Sequence, residues 1–473
     1  MRLSMSKRAD ALDALRGFAI ITMILSGVIP FSGPAELPGW MYHAQLPPPD
    51  HKFNPDFPGI TWVDLVFPFF LFSMGAAFPF ALKKRLEQGA SKFKIVVQSF
   101  QRGFLLVVFA LFLQHSKPYA LSGSPETFHW LIGLLGFVIL FLIFYRYPSS
   151  INNKVVLAVK TVTMIFAVVL FSQLTYSKGS GFILSRSDII ILVLANVALF
   201  GSIIWLYTQD KILIRLGILA FLLAFRITHN IEGSWTRLIW NASPVPEIYK
   251  FYFLQYLFIV IPGTIIGDLI YKWIKSERKE EISERSYLPS TILFLSISVI
   301  IWNLFGLYNR FLLLNLIGNI ILIVIYYLMI RNANSELFNL YKKFFYWAGF
   351  WLMLGLAFES FEGGIKKDPS TVSYYLVTTG LAIFCLIAFS IITDYYNKKK
   401  YVQLLIDNGK NPMIAYLSNS HIIMPIMALT GLSSILNLIL INPWMGFLKG
   451  LIITLLAAFV TSLFTKKKIF WRS

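Results

Sequence analysis

Two histidines and one aspartate carry the first sign of chemistry in this chain. His43 and His51 lie in a polar, proline-rich stretch, and Asp64 opens the long apolar run Trp62 to Leu82 that follows. As a helix that run is long enough to cross a hydrocarbon layer of roughly 30 Å. Asp64 is its only charge and sits in the first turn, so it stands near the interface on the side of the histidine loop. A carboxylate there can hold an imidazole in one tautomer and stabilise its cation, which turns a weak neutral histidine into a base or nucleophile. The competing reading is plainer: acidic residues favour helix starts, and loop histidines are usually solvated. Position alone leaves both readings open, and both histidines.

Further polar groups enter apolar runs elsewhere. Asp13 and Arg16, in Leu12-Asp13-Ala14-Leu15-Arg16-Gly17, stand three apart at the mouth of the first span, and Arg102 lies several residues into the third. Charges inside apolar helices are costly and by default mark function. Two arginines leaning inward near one leaflet suit a phosphate-bearing donor, while the alternative is snorkelling to lipid headgroups. Asn411, after Asn408-Gly409-Lys410, either caps the helix it precedes or contacts a polar ligand at the inner mouth. His421, halfway through the same span, reads first as a packing histidine with a hydrogen-bond partner. His229, Glu232 and Trp235, crowded with Arg226, Arg237 and Trp240, have the mixture of flat apolar faces and directed polar groups that binds sugars. Tryptophans at such a place are also ordinary membrane anchors. Gly263 and Gly267, four apart and followed by Asp268, suggest close helix packing, with Pro262 bending the helix.

The elements that position these groups follow from composition. With 57% hydrophobic and 14% charged residues the chain is too apolar for a soluble domain and reads as an all-α, polytopic transmembrane bundle. Apolar runs fall at 14–32, 62–82, 95–114, 128–145, 155–174, 188–207, 212–227, 251–272, 290–307, 311–330, 344–359, 373–393, 412–430 and 446–464, giving about 11–14 spans. Those at 212–227, 344–359 and 412–430 are the weakest, being short or interrupted. The formal charge of +19 is scattered in short clusters between spans, so it marks topology and not a nucleic-acid surface. The clusters are Arg2, Lys7 and Arg8; Lys83 to Lys94; Lys272 to Arg285; Arg331 with Lys342 and Lys343; Lys398 to Lys400; and Lys466 to Lys468. Strict alternation puts all of them on one side, so both termini are expected in the cytoplasm. The histidine loop 33–61 and the loops 228–249 and 360–372 are then outside. One membrane domain over 1–473 is expected, with the first span retained as an anchor. A single cysteine, Cys385, excludes disulfides within the chain, and no metal-binding, nucleotide-binding or serine-hydrolase motif is present.

Several of these residues resemble a known family. Leu12-Asp13-Ala14-Leu15-Arg16-Gly17-Phe18-Ala19, His43-Ala44, the block Gly59 to Phe72 and Met74-Gly75 are similar to the heparan-alpha-glucosaminide N-acetyltransferase family and its bacterial relatives. The likeness is most specific over Asp64-Leu65-Val66-Phe67-Pro68-Phe69-Phe70-Leu71-Phe72. Weaker echoes continue at Arg102, at Lys367 through Ser373-Tyr374, and at Gly409 with Asn411. The resemblance implies acetyl transfer from cytoplasmic acetyl-CoA to an amino sugar on the other side, through a histidine in a His-Ala context. That context selects His43. An extra proline-rich segment between His43 and Gly59 contains His51, which an earlier placement of the insertion would select instead.

The expected function is therefore that of an acyltransferase, an acetyl-CoA-dependent N- or O-acetyltransferase of a bacterial cytoplasmic membrane acting on an extracytoplasmic carbohydrate. His43, His51 and Asp64 are the catalytic candidates; Arg16, Arg102 and Asn411 would hold the donor; His229, Glu232, Trp235 and Lys367 would meet the acceptor. Acetyl-CoA enters as co-substrate, and no metal is expected. Membrane lipids are the other partners, and small-residue motifs facing lipid would suit a homodimer. The rival from another class is a transporter or flippase for a sugar or lipid-linked sugar, since many spans with intramembrane charge also suit passage of a solute.

Overall fold

A computed structural model describes residues 9–31, 36–276, 286–438, 440 and 442–472. Arg2, Lys7 and Arg8, and Arg278, Lys279 and Arg285 of the later basic cluster, lie outside them. The described residues are helical and form no sheet. The first stretch of chain gives α1 (Asp10–Ser26) and α2 (Trp62–Glu87). The second gives α3 (Lys92–Ser116), α4 (Thr127–Phe144), α5 (Asn153–Gln173), α6 (Ile189–Tyr207) and α7 (Ile212–Thr228). The third gives α8 (Leu257–Lys275), α9 (Leu288–Tyr308), α10 (Leu312–Ile330), α11 (Glu336–Ala357), α12 (Val372–Ser390) and α13 (Gln403–Lys410). The last gives α14 (Pro412–Ser418) and α15 (Pro443–Lys466).

Every expected span contains a helix. Among the described residues, eleven helical segments are long and apolar enough to cross a membrane, and the protein is an integral membrane protein of the helical-bundle class. Those falling short are α1 and α7, of 17 residues each, and α11, which carries Lys342 and Lys343. The first helix starts at Asp10 and stops at Ser26, ahead of the expected end, because Gly27 caps it and Pro30 follows.

One domain was expected over 1–473; the helices group into two compact units, each drawn from two separated stretches. The first unit is Met1–Gln88 with Phe258–Lys410 and contains α1, α2 and α8 to α13. Its centre is α12, buried along almost its whole length and packed on α1, α2, α9 and α11. Glycine lets α8 approach α2 closely: a Cβ on Gly263 would stand 2.5 Å from the Phe72 carbonyl oxygen, and one on Gly267 2.2 Å from that of Ala76. The small-residue pattern is thus spent on packing inside the unit.

Prolines in the same pair of helices release carbonyls that α12 then satisfies. Pro68 has no N–H to offer the residue four before it, and that residue is Asp64, whose main-chain oxygen accepts from the Tyr374 hydroxyl at 2.8 Å. Pro262 likewise frees Phe258, whose oxygen accepts from Thr379 Oγ1 at 3.5 Å.

The second unit is Gly89–Leu257 with Asn411–Ser473. Here α3 packs on α4 and α6, and α14 on α15. The helix beginning at Pro412 widens into a π turn at Asn419–Ile423, which carries His421. Its ring is buried with Nε2 3.0 Å from Ser116 Oγ and Nδ1 2.8 Å from Ser420 Oγ. Both nitrogens are engaged, as a packing histidine requires.

Candidate active site

The site is built in the first unit, where the loop before α2 meets the loop before α12. Thr61 caps α2: its Oγ1 accepts from Val63 N at 3.3 Å, and its own N–H donates to Asp64 Oδ2 at 2.9 Å. This reciprocal arrangement is a capping box with aspartate in the third position. Ala44 N donates to the same Oδ2 at 3.2 Å. The other oxygen, Oδ1, faces His43 Nδ1 at 2.9 Å. Asp64 thus caps its helix with one oxygen and meets the imidazole with the other. A carboxylate only accepts, so Asp64 favours a ring proton on Nδ1 and Nε2 as the basic nitrogen, while Gln45 N also points its N–H at Nδ1 from 3.3 Å.

Local structure fixes the imidazole. The buried Tyr42 ring precedes it, with its hydroxyl accepting from Leu37 N at 2.9 Å and donating to Pro30 O at 2.7 Å. Thr61 Oγ1 donates to Tyr42 O at 2.6 Å, tying the loop to the start of α2. Gly59, at φ +137, takes a backbone conformation that L side chains rarely adopt, and its N–H donates to Ile365 O at 2.8 Å. That bond brings the 358–371 loop alongside.

Two residues of this second loop complete the cluster. Lys367 Nζ lies 3.8 Å from Asp64 Oδ1, and Asp368 Oδ2 lies 3.7 Å from His43 Nε2. Asp64 is fully buried, whereas the Asp368 side chain is 55% exposed, so the site is closed on one flank and open to water on the other. Burial of the His43 ring pushes its pKa down, but the Asp368 and Asp64 carboxylates together outweigh this, with Lys367 opposing; the balance lies above the ordinary 6.5.

With that geometry in view, the sequence profile described as Domain of unknown function (DUF5009) matches residues 8–270, more than half of the chain. The chain belongs to the DUF5009 family. No curated protein is matched by its sequence. The DUF5009 match includes His43 and Asp64 and ends within α8, so Lys367 and Asp368 lie beyond it.

The other candidates of this DUF5009 chain fall elsewhere. His51 turns away from Asp64: its Nε2 is 3.6 Å from Glu36 Oε1, and its ring packs edge-on against Tyr42 with centroids 4.5 Å apart. Arg16, in the first unit, is half-buried and donates to Gly409 O at 3.1 Å and Ser73 O at 3.2 Å. Ser73 is nine residues beyond Asp64 on α2, about 14 Å along the axis.

Arg102 and Asn411 belong to the second unit. Arg102 is exposed on α3, so the inward lean expected of it is not found. Asn411 does not cap its helix. Its Nδ2 donates to Ile469 O at 2.8 Å and its Oδ1 accepts from Trp471 N at 3.4 Å, so the carboxamide anchors the C-terminal segment.

His229, Glu232 and Trp235 also lie in the second unit. His229 Nδ1 contacts Arg226 O and its ring lies on Trp240 at 4.8 Å. Glu232 is exposed and pairs with Arg237 at 3.7 Å, and Trp235 is exposed with an edge contact to Phe225. Of the acceptor candidates Lys367 belongs to the histidine's own unit and stands beside the dyad.

Sequence reasoning passed over Asp368 and Gln45. Asp368 had a signal, since it adjoins Lys367 in a loop already placed on the histidine's side. Gln45 had none beyond its nearness to His43.

Proposed function

We propose that the first unit holds the centre of a membrane acetyltransferase that moves an acetyl group from acetyl-CoA to an amino sugar or other carbohydrate, with His43 as the base. The observation that carries this reading is the Asp64–His43 contact of 2.9 Å, made by a fully buried carboxylate oxygen to one ring nitrogen, while the other makes no hydrogen bond and has Asp368 Oδ2 3.7 Å away. In the reaction the acceptor amine or hydroxyl attacks the thioester carbonyl carbon. The new C–N or C–O bond forms, the C–S bond breaks, and the acceptor's proton passes to His43 Nε2 and then to the departing thiolate. Asp64 supports the imidazolium in between, and the Lys367 ammonium offers positive charge beside the dyad. The acetyl donor and sugar acceptor come from the likeness of the Asp64–Phe72 block to the heparan-alpha-glucosaminide N-acetyltransferase family. Arg16, with its partners on α2 and α13, marks the donor end of the unit. Positive-inside orientation supports a cytoplasmic donor and an acceptor on the other face of a bacterial cytoplasmic membrane.

The test uses purified full-length protein in liposomes, given acetyl-labelled acetyl-CoA and a panel of amino sugars and oligosaccharides. Acetylated product from the native chain and none from His43→Ala is the expected result. Passage of unmodified sugar without acetyl-CoA consumption would instead make the protein a transporter.

A further inference from the structure

Gln45 is fully buried two residues from His43, and its carboxamide is used as a peptide group would be. Oε1 accepts from Asp368 N at 2.8 Å, while Nε2 donates to Asp368 O and, at 3.2 Å, to Pro55 O. One side chain thus takes both main-chain groups of a residue more than three hundred positions away, as adjacent strands do. The Asp368 carboxylate is half exposed and 3.7 Å from the imidazole, a contact too weak in water to hold a loop in place. Something else must fix it, and the paired peptide does.

We propose that Gln45 is a positioning residue: by clamping the Asp368 peptide it sets a second carboxylate beside His43 Nε2 and the Lys367 ammonium beside Asp64. The inference deepens the reading of His43 as the reacting group and rests on it for its catalytic meaning. The imidazole then lies between two carboxylates of different character. Asp64 is buried and belongs to the helix start; Asp368 is exposed and is delivered by the clamp. Without the clamp the second loop keeps the Gly59–Ile365 bond, three residues before Asp368, but the exposed carboxylate and the ammonium lose their set distance from the ring. The groups facing His43 are Asp64, Asp368 and Lys367. Loosening the second loop changes the contribution of the last two together, and the loss of the Asp368 contact lowers the proton affinity of the ring.

The experiment reads that affinity without turnover. Full-length protein in lipid nanodiscs is labelled at its six histidine rings, and the His43 resonance is identified by its loss in His43→Gln. Asp368→Asn is expected to lower the His43 titration midpoint. Gln45→Met, which keeps the volume but removes the paired hydrogen bonds, is expected to lower it as well. In the Gln45→Met background Asp368→Asn is then expected to add nothing, because the carboxylate is no longer held there. Gln45→Asn, which keeps the amide but shortens its reach, carries the same comparison should the methionine variant not fold. An unchanged midpoint in the glutamine variants, or a full further effect of Asp368→Asn within them, would overturn the proposal. Because no acetyl transfer is measured, the clamp can stand even if the enzymatic reading fails. A fully active His43→Ala protein would remove that reading while leaving the titration result intact.

Discussion

Gly17 of α1 and Gly409 of α13 face one another so closely that neither can carry a side chain. A Cβ on Gly17 would lie 1.8 Å from the Leu405 carbonyl oxygen, and one on Gly409 would lie 1.8 Å from that of Asp13. The same approach brings the Arg16 guanidinium to within 3.1 Å of Gly409 O. Because main chain meets main chain, no side-chain rotation relieves the clash. Gly17→Ala and Gly409→Ala should each force the helices apart, at a cost of about 1–3 kcal/mol or more. Thermal denaturation in detergent will read it, and unchanged midpoints for both would show that the crossing is looser than described.

Mutations in the dyad should separate chemistry from helix capping. His43→Ala is expected to lower acetyl transfer by about 10²–10⁴-fold, the usual contribution of a positioned base. Asp64→Asn keeps an acceptor for Thr61 N, so it should depress turnover with little loss of stability. Asp64→Ala also loses the cap, costing a further amount on the order of 1 kcal/mol. His51→Ala should retain activity, since its ring meets Glu36 and Tyr42. Parallel rate and melting measurements on the four variants check the ordering.

The pH dependence has a definite sign. The His43 pKa lies above 6.5 in the folded protein, so its contribution to stability is fully present below the unfolded value and is lost as pH rises through the folded one. Base catalysis runs the other way, because Nε2 accepts a proton only after losing its own. Acetyl transfer should therefore rise with pH through a midpoint above 6.5. Asp368→Asn removes a group that raises the pKa and should move that midpoint down; Lys367→Met removes one that lowers it and should move it up. Profiles of kcat/KM for the free enzyme report these shifts.

A buried amide cluster joins α9 to α10. Asn303 Nδ2 donates to Asn319 Oδ1 at 2.7 Å, Asn319 Nδ2 returns to Asn303 Oδ1 at 3.1 Å, and Asn315 Nδ2 reaches Asn303 Oδ1 at 3.3 Å. Interhelical hydrogen bonds in membranes average about 0.6 kcal/mol and reach about 1.7. Asn303→Ala is expected in the upper part of that range, because it strips a partner from both other amides. A double-mutant cycle with Asn319→Ala, followed by thermal or denaturant unfolding, should give a coupling of the same sign.

Much of the architecture was legible from the chain because it depends on local properties. Apolar runs long enough to cross a bilayer become helices wherever they are placed, since only internal hydrogen bonding satisfies the main chain in hydrocarbon. The Asp64 cap was equally local, as Thr61 and Asp64 stand three apart at the start of such a run. The glycine spacing of α8 foretold a close crossing. What no local property specified was which long-range surfaces meet. Tertiary packing brought His43, the histidine that the His-Ala context had selected, and not His51 to Asp64, turned Arg102 outward and gave Asn411 to the C-terminal segment. It also delivered Lys367 and Asp368 to a histidine more than three hundred residues earlier. The reason is geometric: residue spacing fixes the face of a helix or the start of a loop, whereas a site built from two loops exists only once the helices beneath them have fixed their mutual distance.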